Sequence, residues 1–305
     1  MSGEFELIAE LTRDLPVSPA VSLGVGDDAA ALRLEGEAVV TTDILVEDVH
    51  FRRTWSDAQQ VGRKAVGVNV SDVEAMGAVP VAVVVALAFP RELDRQWVHD
   101  FAAGAREECE LAGVSYVGGD LSAGALVVAS VTAIGDLRHR RPVTRSGARP
   151  GDVVAVRGRL GWAGAGHAAL SRGFRSPQDV VRAALVPEIQ YGQGVVAADA
   201  GATAMIDVSD GLVQDLGHVA AASRVHIDVD SSTLEVTDPM RRVGAATGKD
   251  PMGFVLNGGE DFALAATFPA DAVPAGWRVV GAVTEGEGVT VDGAPHDEGG
   301  WDHLA

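Results

Sequence analysis

The chain has 305 residues, 47% hydrophobic and 22% charged, enough apolar material for one large core or two modest ones, which excludes disorder, collagen and coiled coil. Its 24 basic and 43 acidic side chains leave a formal charge of -19, which opposes binding to nucleic acid or anionic lipid, because phosphate contacts need clustered Lys and Arg. The longest apolar run, Val81–Phe89 between Pro80 and Pro90, falls far short of the roughly 20 residues of a membrane-spanning helix and reads as a buried strand.

The first residues show no basic or hydrophobic leader pattern, and the one cysteine, Cys109, cannot close an internal disulfide, so the expected compartment is the cytoplasm. In chain order, periodicity predicts strand Val39–Asp43, helix Ser56–Met76, strand Val81–Phe89, helix Asp94–Ala112, and strands Tyr116–Gly118 and Leu126–Ile134. Cys109 falls in the second helix among Glu107, Glu108 and Glu110, surroundings that oppose a thiolate and suit an inert packing residue. The polar, proline-punctuated stretch from Arg138 to Gly151 reads as a linker, giving domains 1–148 and 149–305. Beyond it come strand Val153–Val156, Gly- and Ala-rich helical segments from Gly161 to Ala200, strand Ala204–Asp207 and helix Gly211–Ala222. Strands Val225–Val229, Phe262–Thr267 and Val279–Ala282 complete the second half. Val-Ser-Asp recurs at Val70–Asp72 and Val208–Asp210, a hint of distant duplication that one short match cannot establish.

Several familiar chemistries are excluded. Gly24–Ala29 and Gly164–Ala169 fit loose dinucleotide patterns, but the first carries two adjacent acids where a pyrophosphate would sit and the second lacks the later acid that holds a ribose. Both read as turns or close helix packing. Gly244–Asp250 has the wrong glycine spacing for a phosphate loop of the Walker type, and neither a Gly-X-Ser-X-Gly elbow nor paired zinc-ligand histidines occur.

What remains is a series of aspartates at abrupt positions: Asp28 after Gly26, Asp43 at the expected end of a strand, Asp72, Asp120 after Gly118-Gly119, and Asp207 and Asp210 around Ser209. Each alone suits a cap or a turn, and Asp210 before Gly211 is the clearest cap candidate. Asp72, however, shares a helical face with Val61, Ala65 and Val68, where an unpaired carboxylate is costly. Converging carboxylates repel unless a divalent cation neutralises them, and hard oxygen ligands suit magnesium and hence phosphates. Gly118-Gly119 and Gly258-Gly259 each lead into an acid and could let backbone N–H groups approach an anion, or form tight turns. Arg145 offers a planar fork for a phosphate, or a solvated charge on the linker.

Together these motifs resemble those of the thiamine-monophosphate kinase family, within the aminoimidazole-ribonucleotide-synthetase-like group of ATP-binding enzymes. The resemblance runs almost end to end and is carried by Gly24–Ala30, Thr41–Phe51, Val66–Ala78, Gly118–Asp120, Thr144–Ala148, Ile206–Leu212 and Gly258–Phe262, seven stretches in the family's order. It implies an α+β, two-domain fold: an N-terminal mixed sheet with helices that pairs with a second copy in a homodimer barrel, and a C-terminal α/β sandwich, with ATP between the two domains of each chain. It further implies that Asp28, Thr41, Thr42, Asp43, Asp72, Asp120, Asp207 and Asp210 hold magnesium ions. Gly119, Asp120, Arg145 and Ser209 would touch ATP, and His50 and Glu260 thiamine monophosphate. The expected reaction is direct in-line phosphoryl transfer with no covalent intermediate and no general-base residue.

Two departures from the family pattern stand out: Leu121-Ser122 follows Asp120 where Thr is usual, and the ending reads Trp301-Asp302-His303-Leu304, with Trp301 the aromatic candidate for stacking on the substrate's cationic ring or for packing the terminus. Related selenophosphate and carbamoyl-dehydration enzymes need a reactive cysteine near a terminus, which a single Cys109 does not provide. A catalytically silent nucleotide and magnesium sensor, or another synthetase of the group, is the alternative reading.

Overall fold

Nine consecutive paired residues of alternating exposure make β3 (Ala38–Val46) the anchor of the first sheet in the computed structural model, which describes residues 4–13, 15 and 17–296. The chain divides into two compact units, one running to Val73 and resuming over Ala78–His139, the other made of Glu74–Gly77 and the chain from Arg140 onward.

The first unit opens with α1 (Glu4–Leu11) and a small hairpin of β1 (Val21–Leu23) and β2 (Ala31–Leu32). Its main sheet joins β3, β4 (Val79–Phe89), β5 (Ser115–Ala123) and β6 (Val128–Asp136) in the order β3-β6-β4-β5, antiparallel except for β4 with β5. Helices α2 (Ala58–Ala75) and α3 (Arg95–Ala112) supply the buried partners. Asp94 caps α3 by accepting from Gln96 N–H, and Gly113 ends it in the left-handed conformation (φ 70°), as helix-terminus chemistry expects. The two helices cross at backbone distance. A Cβ on Gly62 would stand 2.0 Å from the Phe101 carbonyl oxygen and one on Gly104 2.0 Å from that of Gln59, so both positions demand glycine. Cys109 is fully buried here and its thiol is pushed up to about 12, chiefly by burial, as expected of a packing residue.

The second unit is built on a seven-stranded sheet of order β13-β12-β9-β11-β7-β10-β8. Its strands are β7 (Val153–Arg157), β8 (Ala204–Val208), β9 (His226–Val229), β10 (Ala263–Phe268), β11 (Arg278–Thr284), β12 (Gly288–Val291) and β13 (Ala294–Pro295). The helices are α4 (Trp162–Ser171), α5 (Gln178–Leu185), α6 (Gln193–Asp199), α7 (Leu212–Ser223), α8 (Asp238–Thr247) and α9 (Pro251–Asn257). One part of the core gathers Met205, Leu264, Phe268 and Trp277, with the last two rings edge to face at 5.4 Å. Of the turn and helix-packing readings of the Gly164–Ala169 stretch, packing holds at Gly166, where a Cβ would meet the Val180 carbonyl oxygen at 2.1 Å, so α4 and α5 touch through it.

Four expectations change. β3 continues through Asp43 to Val46 because β6 pairs with it to the end, and β5 continues through Asp120 to Ala123 because β4 does the same, so neither acid closes its strand. From Arg140 on, the stretch read as a linker packs within the second unit: Val143 and Ala148 are buried, and Thr144 C=O accepts from Met205 N–H at 3.1 Å on the outer side of β8. The recurring Val-Ser-Asp has no structural echo, since Ser71 lies inside α2 and Ser209 follows the end of β8. Asp210 is not the cap of α7; Asp215 takes that role.

Candidate active site

In the first unit, strand alternation points Thr41 and Asp43 to the same side of β3, toward α2. The Thr41 hydroxyl donates to Asp72 Oδ2 at 2.7 Å, which partners the half-buried carboxylate that the helical face made costly. Beside it Asp43 N–H, on the unpaired edge of β3, donates to Asn69 Oδ1 at 2.8 Å, while Asn69 Nδ2 donates to the Ala65 carbonyl. Asn69 thus ties the free strand edge to α2 and aligns Asp43 with Asp72. Asp43 remains exposed.

Thr42 and Asp120 point elsewhere. Thr42 lies on the opposite face, where its hydroxyl donates to the Val131 carbonyl at 3.0 Å and accepts from Thr132 Oγ1 at 3.2 Å. The register Ile44–Ser130–Ala86–Asp120 sets Asp120 on that same open face at the far edge strand, three strand spacings (about 14 Å) from β3. Gly119 precedes it against β4, and a Cβ there would stand 1.9 Å from the Val85 carbonyl oxygen, so close strand packing alone demands this glycine. Asp28 is exposed in the turn between β1 and β2, its N–H donating to Asp27 Oδ1. His50 follows β3 in a tight return: Val46 N–H donates to its Nδ1 at 3.0 Å, and the buried Lys64 ammonium donates to its carbonyl at 2.9 Å.

The second unit gathers its set around the end of β8. Asp207 is buried one residue before the strand ends, and Asp210 sits half-buried at the start of α7. Asp215, one turn into α7, accepts from Asp210 N–H at 3.0 Å and Gly211 N–H at 3.1 Å, satisfying the exposed donors of the helix start. Burial pushes the Asp215 carboxyl up to about 7, reinforced by the charge of Asp210 and opposed by that of Arg145. Arg145 is therefore an electrostatic neighbour of this acidic pair, with its own backbone carbonyl held by the Ser223 hydroxyl at 3.0 Å. Oxygens of Asp210 and Asp215 and a ring nitrogen of His218 all lie within 4.8 Å of one another.

Ser209 connects this set to the loop bearing Glu260. Its carbonyl accepts from Glu260 N–H at 2.7 Å, and the Val208 carbonyl accepts from Phe262 N–H at 2.9 Å, so the loop continues the pairing of β8. Glu260 and Phe262 hold left-handed backbone (φ 64° and 51°), a strained state for non-glycine residues that recurs at functional sites. Gly258 and Gly259 answer a different need: a Cβ would stand 2.2 Å from the Phe254 carbonyl oxygen at the first and 2.6 Å from that of Ser209 at the second. Asp261 turns inward and accepts from Gly161 N–H and Ala163 N–H at the start of α4.

Matches to family models cover most of the chain: the N-terminal domain of AIR synthase related proteins over residues 26–137 and the C-terminal domain over 149–293. The thiamine-monophosphate kinase of Mycobacterium tuberculosis is 47% identical over 294 residues, covering 95% of this chain and 88% of that protein. The chain belongs to the thiamine-monophosphate kinase family. The family member from Corynebacterium glutamicum is 40% identical over 93% of this chain and 86% of its own length. Among solved structures, AaThiL complexed with AMPPCP and TMP superposes with a TM-score of 0.83 at 34% identity, over 99% of this chain and 97% of that one.

Against the family signature, the structure brings together Thr41, Asp43 and Asp72 in one unit, and Asp207, Ser209, Asp210, Arg145 and Glu260 around one strand end in the other. Trp301 lies outside the described residues. Asn69 and Asp261, which lie in signature stretches without an assigned role, and Asp215 and His167, which lie outside them, hold the signature residues in place. Asp215 alone had a local signal, its i,i+3 spacing to His218 on a helix opened by Asp210-Gly211.

Proposed function

We propose that the chain transfers the γ-phosphoryl group of ATP to the phosphate of thiamine monophosphate, yielding thiamine diphosphate and ADP. The observation that carries this reading is the likeness, over 99% of the chain, to a structure that holds AMPPCP and TMP together. Residues at the family's positions support it. Asp28, Thr41, Thr42, Asp43, Asp72, Asp120, Asp207 and Asp210 form the proposed magnesium set. The donors are oxygens, mostly carboxylates exposed or half-exposed to water, which suits a hard cation that keeps part of its hydration. Bound magnesium would neutralise the phosphate charges that otherwise repel donor and acceptor. For Thr42 the hydroxyl is engaged with β6, which leaves its backbone as the group to offer.

The remaining chemistry is positioning. Arg145 supplies a planar fork for nucleotide phosphate, with Gly119, Asp120 and Ser209 as further ATP contacts. An acceptor phosphate is already anionic at neutral pH, so no strong base is needed. His50 fits a donor role: its Nδ1 accepts from Val46 N–H, which places the proton of the neutral ring on Nε2. Glu260 presents a carboxylate to a substrate with a cationic ring, and Trp301 is the proposed stacking partner of that ring.

We also propose a homodimer formed through the first sheet. Its open face carries Val40 at 64% and Ile44 at 44% exposure beside Thr42 and Asp120, and a second sheet laid on it would close a barrel and remove the apolar surface from water. The start of the second family match at 149 supports a sequence-domain boundary near 148, while the compact second unit already takes in the chain from Arg140. A cytoplasmic location fits a buried, unpaired Cys109 and a chain in which no described helix is long and apolar enough to cross a membrane.

The test is a coupled assay of the purified protein with ATP, magnesium and thiamine monophosphate, run in parallel with aminoimidazole ribonucleotide precursors as acceptors. Thiamine diphosphate and ADP in equal amounts, dependent on magnesium, support the reading. Nucleotide binding without product would favour a sensor instead.

A further inference from the structure

Helix α4 meets the loop 258–262 at its N-terminal end and at two places along one face. Its first N–H groups, of Gly161 and Ala163, bind the Asp261 carboxylate; Gly164 abuts Gly258, where a Cβ would stand 2.9 Å from the neighbouring Cα; and His167 Nε2 pairs with Glu260 Oε2. Gly164 and His167 are i, i+3 neighbours on one helix face. The helix therefore holds both the backbone of the loop and the carboxylate at its tip.

We infer that His167 is a positioning residue for the thiamine-phosphate substrate, acting through Glu260. This rests on the proposed reading of Glu260 as a substrate contact. The pair is about two-thirds buried, with side-chain exposures of 32% for His167 and 29% for Glu260, so it is neither a solvated surface pair nor a closed core contact. Glu260 sits on strained left-handed backbone anchored by Ser209, which sets where its Cα stands but leaves three side-chain torsions to be determined. A donor on Oε2 removes that freedom and sets the plane in which Oε1 is presented. An Nε2–H donor holds one oxygen of the carboxylate and leaves the other to face a cationic ring. The partner thus contributes to recognition of the substrate rather than to the phosphoryl-transfer step.

The experiment is steady-state kinetics of His167→Leu, His167→Gln, Glu260→Gln and the double variant His167→Leu/Glu260→Gln. His167→Leu is expected to raise KM for thiamine monophosphate about tenfold, the cost of re-freezing one mobile side chain, while kcat and KM for ATP stay within about twofold. His167→Gln keeps an N–H donor of similar reach and is expected to restore most of the loss. In the Glu260→Gln background the leucine substitution should add little further. If Glu260→Gln raises that KM but His167→Leu does not, or if the two losses simply multiply, the inference about His167 is overturned. If Glu260→Gln leaves KM unchanged, the reading of Glu260 itself fails. A fall in kcat and melting temperature shared by both His167 variants would make the residue structural instead.

Discussion

Thr41 and Asp72 meet through a 2.7 Å hydrogen bond that joins the edge strand β3 to helix α2 across 31 positions of sequence. With Asn69 bound to the Asp43 amide beside it, the bond gives a half-buried carboxylate a partner while keeping Asp43 open to solvent. This is the arrangement that the proposed magnesium set requires.

The exposed acids should therefore matter to turnover and little to stability. Asp43→Asn and Asp120→Asn are each expected to lower kcat at least about a hundredfold, the scale of losing a group aimed at transition-state charge, with the melting temperature within a few degrees of the parent. Near-parental turnover in either variant, measured at saturating magnesium, would remove that residue from the metal set.

Asp215 should behave differently, because it caps α7 from inside while sitting beside Asp210. Asp215→Ala leaves Asp210 N–H and Gly211 N–H without their acceptor, and a loss of about 1–2 kcal/mol in unfolding free energy is expected along with reduced activity. Denaturant unfolding curves check the first part. An unchanged midpoint would show that another group satisfies the helix start.

Asp261 carries a pH signature. Burial pushes its carboxyl up to about 7 in the folded chain, from an ordinary value near 3.8, against the pull of the α4 amide donors. A raised folded value means the unfolded chain releases the proton first, so this group's contribution to stability is largest below about pH 4 and declines as pH rises toward 7. Asp261→Asn cannot ionise, and its stability relative to the parent should therefore improve between pH 5 and pH 8. Melting curves at the two pH values read this directly; a variant whose relative stability falls with rising pH would contradict it.

How much of this was visible in the sequence depended on distance along the chain. The long apolar runs that became β4, β6, α2 and α3 were readable because period and length agree there, and the family motifs marked Asp43, Asp72, Asp120, Asp207 and Asp210 in order. Strand ends were missed where pairing, not composition, sets the limit: polar Asp43 and Asp120 stay within β3 and β5 because their neighbours supply partners beyond them. Helices α8 and α9 went unread although Asp238-Pro239 and Asp250-Pro251 are good helix openings, since each helix is short and follows a polar stretch. The roles of His167 and Asp261 are not legible in the sequence, because their partners lie 93 and 98 or more positions away and only the docking of α4 on the loop brings them together. That Thr42 and Asp120 share the open face of the sheet likewise follows from strand register alone.

The most direct test of the account follows the transferred group itself. Protein, magnesium and thiamine monophosphate are mixed with ATP labelled at the γ-phosphate and quenched over the first turnovers. Direct in-line transfer predicts label appearing in thiamine diphosphate in step with ADP, with none retained on the protein at any time. Label held on the protein, or released only as inorganic phosphate, would contradict the central claim.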